Sequence, residues 1–166
     1  MGAPRVPFQS PPPAEHRAGR HSPLTPTELL DRAKRATESA DLLLGAGDLN
    51  GACNRAYYAM FDAARAALIA VQPPPASEAI KTHSGLISAF SLQLVKTGQV
   101  SIELGKSFSK VSDIRLIADY SDEEVSADRA RWAVEQAKEF VKAIRLHCTT
   151  TPQPVAPSDS STDRTR

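Results

Sequence analysis

Ten of the chain's 13 prolines lie at or before Pro26 or at or after Pro152, and the other three are consecutive, Pro73 to Pro75. Proline lacks a backbone donor and clashes with the preceding helical turn, so helices belong in the proline-free stretches between these clusters. Residues 1–23 and 149–166 are rich in Pro, Ser, Thr and charge and offer little to bury. Both are expected to be disordered tails. The remaining stretch, 24–148, is long enough for one domain with a core of its own.

Helical spacing runs through that stretch. A first helix is expected from about Pro26 to Leu44, with Thr25 as cap, Pro26 in the first turn and Glu28 completing a capping box. Its apolar residues Leu29, Leu30, Ala33, Ala36, Ala40, Leu43 and Leu44 recur every three or four positions, and Gly45 and Gly47 end it. A second helix is expected from Asp48 to about Val71, burying a stripe from Leu49 through Ala56 and Met60 to Leu68. Ser77 is the expected cap of a third, reaching Val95 with Ile80, His83, Ile87, Phe90 and Leu94 on one face. The fourth should span Ile102 to Ala118, followed by an acidic loop from Asp119 to Val125. Ser126 is the expected cap of the last, whose core face carries Ala130, Ala133, Ala137, Phe140, Val141 and Ile144. No segment alternates with period two, so the fold class is all-α, an up-and-down antiparallel bundle of four to five helices.

Charge narrows the function. The helical stretch carries 15 Lys/Arg against 16 Asp/Glu, too even for tight nonspecific binding of nucleic acid, though a local basic patch stays open. No run of roughly 18 apolar residues is present, so no membrane span is expected. The N-terminus has no apolar signal run, and Val6 breaks the myristoylation pattern. With Cys53 and Cys148 as its two cysteines, the chain is expected to be cytoplasmic, and its four histidines make a zinc cluster unexpected. We expect no metal and no cofactor.

Against this plain background the second helix holds an unusual polar stripe. Arg55, Tyr58, Asp62 and Arg65 stand three, four and three residues apart and share one face, flanked by Asn54 and Tyr57. The stripe is either a solvated helix face or the lining of a pocket or subunit interface. His83, between Ile80 and Ile87, is either a satisfied core residue or, if it faces a cleft, a general acid–base group. Arg115 lies beside the buried stripe of the fourth helix, where a permanent charge must find an acceptor. Asp119 is its local partner and Tyr120 follows. That arginine is either an ion-paired bundle-edge residue or a guanidinium ready to grip phosphate or a partner's carboxylate. Trp132 falls off the apolar stripe, at a bundle edge or a dimer contact.

Three strings, Asn54-Arg55-Ala56-Tyr57-Tyr58-Ala59-Met60-Phe61, Lys81-Thr82-His83-Ser84-Gly85 and Arg115-Leu116-Ile117-Ala118-Asp119-Tyr120, occur in this order. As a set they resemble the small bacterial and archaeal HEPN-domain proteins over about Leu24 to Cys148. The resemblance implies a four- or five-helix bundle that dimerises and is often paired with a minimal nucleotidyltransferase in toxin–antitoxin or defence systems. Many such proteins are metal-independent endoribonucleases whose motif is an arginine, four to six residues, then a histidine. Arg115 matches the arginine, but after four residues this chain has Tyr120, and no histidine lies between Arg115 and Arg145.

Three functions follow as expectations. The first is an interaction module binding RNA, a nucleotide or a nucleotidyltransferase through Asn54, Arg55, Tyr58, Asp62, Arg65, Arg115, Asp119 and Tyr120. The second is a ribonuclease toxin with Arg115 as electrostatic stabiliser and His83 or Tyr120 in the proton role. The third is a structural adaptor in which these groups are internal hydrogen-bond fillers.

Overall fold

The computed structural model describes residues 24–71, 82–120 and 124–150. They form α1 (Pro26–Gly45), α2 (Leu49–Val71), α3 (His83–Phe90), α4 (Ile102–Tyr120) and α5 (Ala127–Thr150). A π-helical segment, Ser91–Val95, continues α3, and no strand occurs among the described residues. The all-α bundle expected from the sequence is the observed one.

The ends of α1 follow the sequence signals. Thr25 Oγ1 accepts from Glu28 N, and the Glu28 carboxylate accepts from Thr25 N at 2.8 Å, which closes the capping box. At the other end Gly47 takes φ +83°, the left-handed conformation that a side chain resists, and turns the chain into α2 within three residues. The short link sets α1 and α2 antiparallel and in extensive contact.

α2 is the central element, packing on α1, α3, α4 and α5. Its alanines explain this: Ala52, Ala56, Ala59, Ala63, Ala64, Ala66 and Ala67 are fully buried, and small side chains let neighbouring helices approach from several sides. Large apolar residues come from α2 itself, in Tyr57, Met60 and Leu68, and from its neighbours. Phe90, Phe108 and Phe140, from α3, α4 and α5, meet with ring centroids 5.3–5.8 Å apart. Edge and offset contacts of this kind add to the area they bury.

Three boundaries differ from expectation. The expected Ser77 cap and Ile80 lie outside the described residues; the described α3 begins at His83, capped by Thr82, whose Oγ1 accepts from Gly85 N at 3.0 Å. His83 therefore stands exposed in the first turn, and Leu86 joins Phe90 and Leu94 in the core. α4 continues through Asp119 to Tyr120, because Asp119 is held by an ion pair one turn back and does not enter a loop. α5 continues to Thr150, with Thr149 and Thr150 hydroxyls each donating to Leu146 O at 2.8 Å. The other residues of the two expected tails, and Asp122 and Glu123 of the expected acidic loop, lie outside the described residues.

Trp132 is half-buried between α4 and α5, with the Lys110 ammonium 4.4 Å from its ring centre. No described helix is long and apolar enough to cross a membrane.

One long-range clamp was not legible in the sequence. Asn50 Nδ2 donates to Ala118 O at 3.4 Å, and its Oδ1 accepts from Val125 N at 3.1 Å. It thereby ties the end of α4 to the approach to α5. Asn50→Ala strands the Val125 N–H beside a buried side chain. The expected cost is about 1–3 kcal/mol, read from the urea midpoint at unchanged slope.

Candidate functional site

Of the polar groups singled out in the sequence, Arg55, Tyr58, Asp62, His83, Arg115 and Tyr120 line two neighbouring clefts, while Asn54, Arg65 and Asp119 line neither. The first lies between α3 and α4, has a volume of about 620 Å³ and is lined among others by His83, Ser112, Asp113, Arg115, Leu116 and Tyr120. The second lies between α1 and α2, about 360 Å³, and is lined by Arg32, Arg35, Ser39, Arg55, Tyr58 and Asp62 with Ala36. Arg55 and Tyr58 are thus not in the same cleft as Arg115 and Tyr120. Tyr58 stands between the clefts, lining the second while its ring lies 6.1 Å from that of His83 in the first.

Arg115 is the best-anchored group. Its side chain is 12% exposed, and Nη2 meets Asp119 Oδ2 at 2.8 Å. Asn54 Nδ2 donates to the other carboxylate oxygen at 3.1 Å, so α2 fixes the acid that fixes the arginine. The guanidinium carbon lies 5.1 Å from the Tyr57 ring centre and 5.8 Å from that of Tyr58, a cationic stack on two faces. Arg115 Nε is buried and has no hydrogen-bond acceptor among the described residues. A buried unsatisfied donor on a permanent charge is costly.

His83 reaches the same cleft from α3, 32 residues earlier in the chain. Its Nδ1 lies 2.7 Å from Tyr57 Oη, and its ring packs on Phe61, Tyr57 and Tyr58 at centroid distances of 5.0, 5.5 and 6.1 Å. Tyr57 is fully buried, and burial pushes its phenol up to about 12 against the opposing pull of Arg115, so it stays protonated. The His83–Tyr57 bond serves either tautomer. If Nδ1–H donates to the phenol oxygen, Nε2 is a bare base; if the phenol donates to Nδ1, Nε2–H is a donor. Loss of water, then the Arg115 charge, holds His83 below the usual histidine value, so the ring is neutral at pH 7.

That cause gives a test. Arg115→Gln removes the repelling charge, and the His83 pKa is expected to rise, read from its ring proton shifts by NMR titration. The sign for stability follows. A depressed histidine contributes stability that is fully present above its unfolded value of about 6.5 and lost as pH falls through the folded value. His83→Gln should therefore flatten part of the acid-side fall in stability.

In the second cleft Asp62 is buried, with Arg32 Nε 3.3 Å from its Oδ2. Burial pushes its carboxyl up, while Arg32 and Arg65 pull it down. Arg65 acts on Asp62 but does not line the cleft. Arg32 and Arg35, which complete this cleft from α1, carried no signal in the α2 pattern. Their spacing against Ala36 and Ser39 on α1 was the one available clue. Tyr120 is 81% exposed at the cleft mouth. Cys53 is fully buried and its thiol is pushed up to about 11, which leaves it without nucleophilic character. Among the described residues no three of His, Cys, Asp and Glu gather as metal ligands do.

The family model described as HEPN domain matches residues 27–147. A UPF0332 protein of Thermotoga maritima is 34% identical over 114 residues, covering 68% of this chain and 83% of its own. Another, from Gloeobacter violaceus, is 30% identical over 117 residues, covering 69% and 89%. A Methanocaldococcus jannaschii protein provisionally named a toxin is 29% identical over 117 residues, covering 70% and 84%.

Proposed function

The chain belongs to the HEPN domain family, and from that premise we propose that it is a homodimeric RNA-binding module of a toxin–antitoxin-like pair, holding an RNA phosphate at Arg115. The observation that carries this reading is the Arg115 guanidinium at the α3/α4 cleft, held in place by Asp119 and, through it, by Asn54. Guanidinium matches phosphate geometry, keeps its charge at all working pH values and gains strength where water is scarce. Two relatives named provisionally as toxins are consistent with the role. Leu116 and Tyr120, exposed at the cleft, offer the apolar surface against which a second copy would pack. The partner nucleotidyltransferase rests on family resemblance, and it would compete for the same cleft.

A specific observation favours a second reading, cleavage. The nuclease histidine missing from its expected place after Arg115 has a spatial counterpart in His83, which lines the same cleft as a neutral base. In that reaction the ribose 2′-oxygen bonds to phosphorus as its proton passes to His83 Nε2. The P–O5′ bond breaks, and the leaving oxygen takes a proton from water or Tyr120. Arg115 stabilises the charge gathering on the phosphorane.

One experiment tests both. Purified protein in EDTA is incubated with single-stranded RNA, and binding and cleavage are followed for wild type, Arg115→Ala and His83→Ala. Binding lost in Arg115→Ala supports the module. Cleavage lost in both variants supports the nuclease. Wild-type protein that is folded yet leaves RNA unbound and intact overturns both.

A further inference from the structure

The second cleft has a charge pattern that the ion pairs of the bundle do not explain. On its α5 side, α1 carries Asp31 and Asp41, and each is paired: Asp31 Oδ1 lies 3.3 Å from Arg145 Nη2, and Asp41 Oδ1 2.7 Å from Lys138 Nζ. On its α2 side, α1 carries Arg32 and Arg35. Arg32 is engaged by Asp62. The guanidinium groups of Arg35 and Arg55 have no ion-pair or hydrogen-bond partner among the described residues. Three arginines and one carboxylate thus share a cleft of about 360 Å³, in a domain that is otherwise nearly neutral. Arg35 and Arg55 are both exposed at this cleft, so their guanidinium groups are open to an anion that enters it.

The neighbour of this cleft narrows the ligand. Tyr58 forms one wall, and beyond its ring lie Arg115, 5.8 Å from the ring centre, and His83. Two arginine-lined clefts on either side of one aromatic ring suit a strand that alternates phosphates with flat bases. Arginine forks take the phosphates, and tyrosine gives a stacking face for an unpaired base. We propose that the α1/α2 cleft is a second phosphate subsite for single-stranded RNA, gripped by Arg35 and Arg55 and separated from the Arg115 cleft by Tyr58. The proposal rests on RNA as the ligand; it does not need the Arg115 cleft to cleave, or even to bind.

The test follows fluorescence anisotropy of a labelled oligouridylate of about 12 nucleotides between roughly 50 and 200 mM salt. Arg35→Gln with Arg55→Gln is expected to weaken binding at least about tenfold at the low-salt end, the loss of two phosphate contacts. The slope of log affinity against log salt should fall by about 0.7 for each arginine removed. Lys34→Gln, which removes one charge from an exposed α1 position paired with Glu38, should stay within about twofold and leave the slope nearly unchanged, as a charge outside the subsite would. Asp62→Asn, which removes the one carboxylate lining the cleft, should tighten binding.

An unchanged affinity and slope in the Arg35/Arg55 variant overturns the subsite, whatever Arg115→Gln does. Loss in that variant with full binding in Arg115→Gln supports the subsite and overturns the Arg115 reading instead. Equal competition by oligoglutamate of matched charge would reassign the cleft to an acidic protein segment and overturn the proposal.

Discussion

Phe108→Ala is expected to lower the unfolding free energy by about 3–5 kcal/mol, the largest effect of any single change described for this fold. Phe108 is fully buried near the middle of α4. Its ring lies 5.8 Å from Phe90, 5.3 Å from Phe140 and 6.1 Å from Tyr57, so three other helices rest on it. Truncation removes transfer energy and leaves a void that four helix backbones, locked by the surrounding alanines, are poorly placed to close. Domains of this size hold about 5–15 kcal/mol in all, so the variant is expected near its unfolding transition at 37 °C. Urea denaturation checks this, with Ile102→Ala as comparison. Ile102 is 63% exposed on the same helix, and its loss should stay within about 0.5 kcal/mol. A midpoint for Phe108→Ala close to that of Ile102→Ala would mean that the aromatic cluster does not organise the core.

Arg115→Ala is expected to reduce single-stranded RNA affinity by about tenfold to a hundredfold, the loss of a charge-assisted hydrogen bond worth about 1.5–3 kcal/mol. Its stability cost should be smaller, about 1–2 kcal/mol for one ion pair and two ring contacts. Those two readouts separate function from scaffold. Arg115→Lys sharpens the contrast, since it keeps the charge and loses the planar fork and the stack on Tyr57 and Tyr58. It should bind RNA at an intermediate strength with a salt slope close to that of wild type. If Arg115→Ala melts earlier but binds RNA as well as wild type, Arg115 is a structural filler and the adaptor expectation prevails. If binding falls while the melting temperature barely moves, the charge is there for the ligand.

How far these sites could be read from the sequence depends on how local their causes are. The Thr25–Glu28 capping box and the left-handed Gly47 are fixed by residues within four positions of each other, and both occur as their spacing implies. Arg115 and Asp119, one turn apart, were paired by the same logic. The placement of His83 failed that logic, because it assumed a helix running through Ile80; the described helix starts at His83 and leaves the ring exposed against Tyr57. Asn50 gave no signal, since its two partners lie 68 and 75 residues away.

Proline exclusion, capping and a 3.6-residue period act along a single segment, so the helices, their order and most of their buried faces were legible in the amino-acid order alone. That order also marked Arg55, Tyr58, Asp62 and Arg115 as groups that a plain bundle does not require. It took the packing of the helices to show that they line two clefts with Tyr58 between them, that Arg32 and Arg35 complete one, and that His83 joins Arg115 in the other. The reason is geometric. Which side chains meet across helices depends on how the buried alanine and phenylalanine faces set the distance and angle between neighbouring helices, and the period of one helix does not carry that angle.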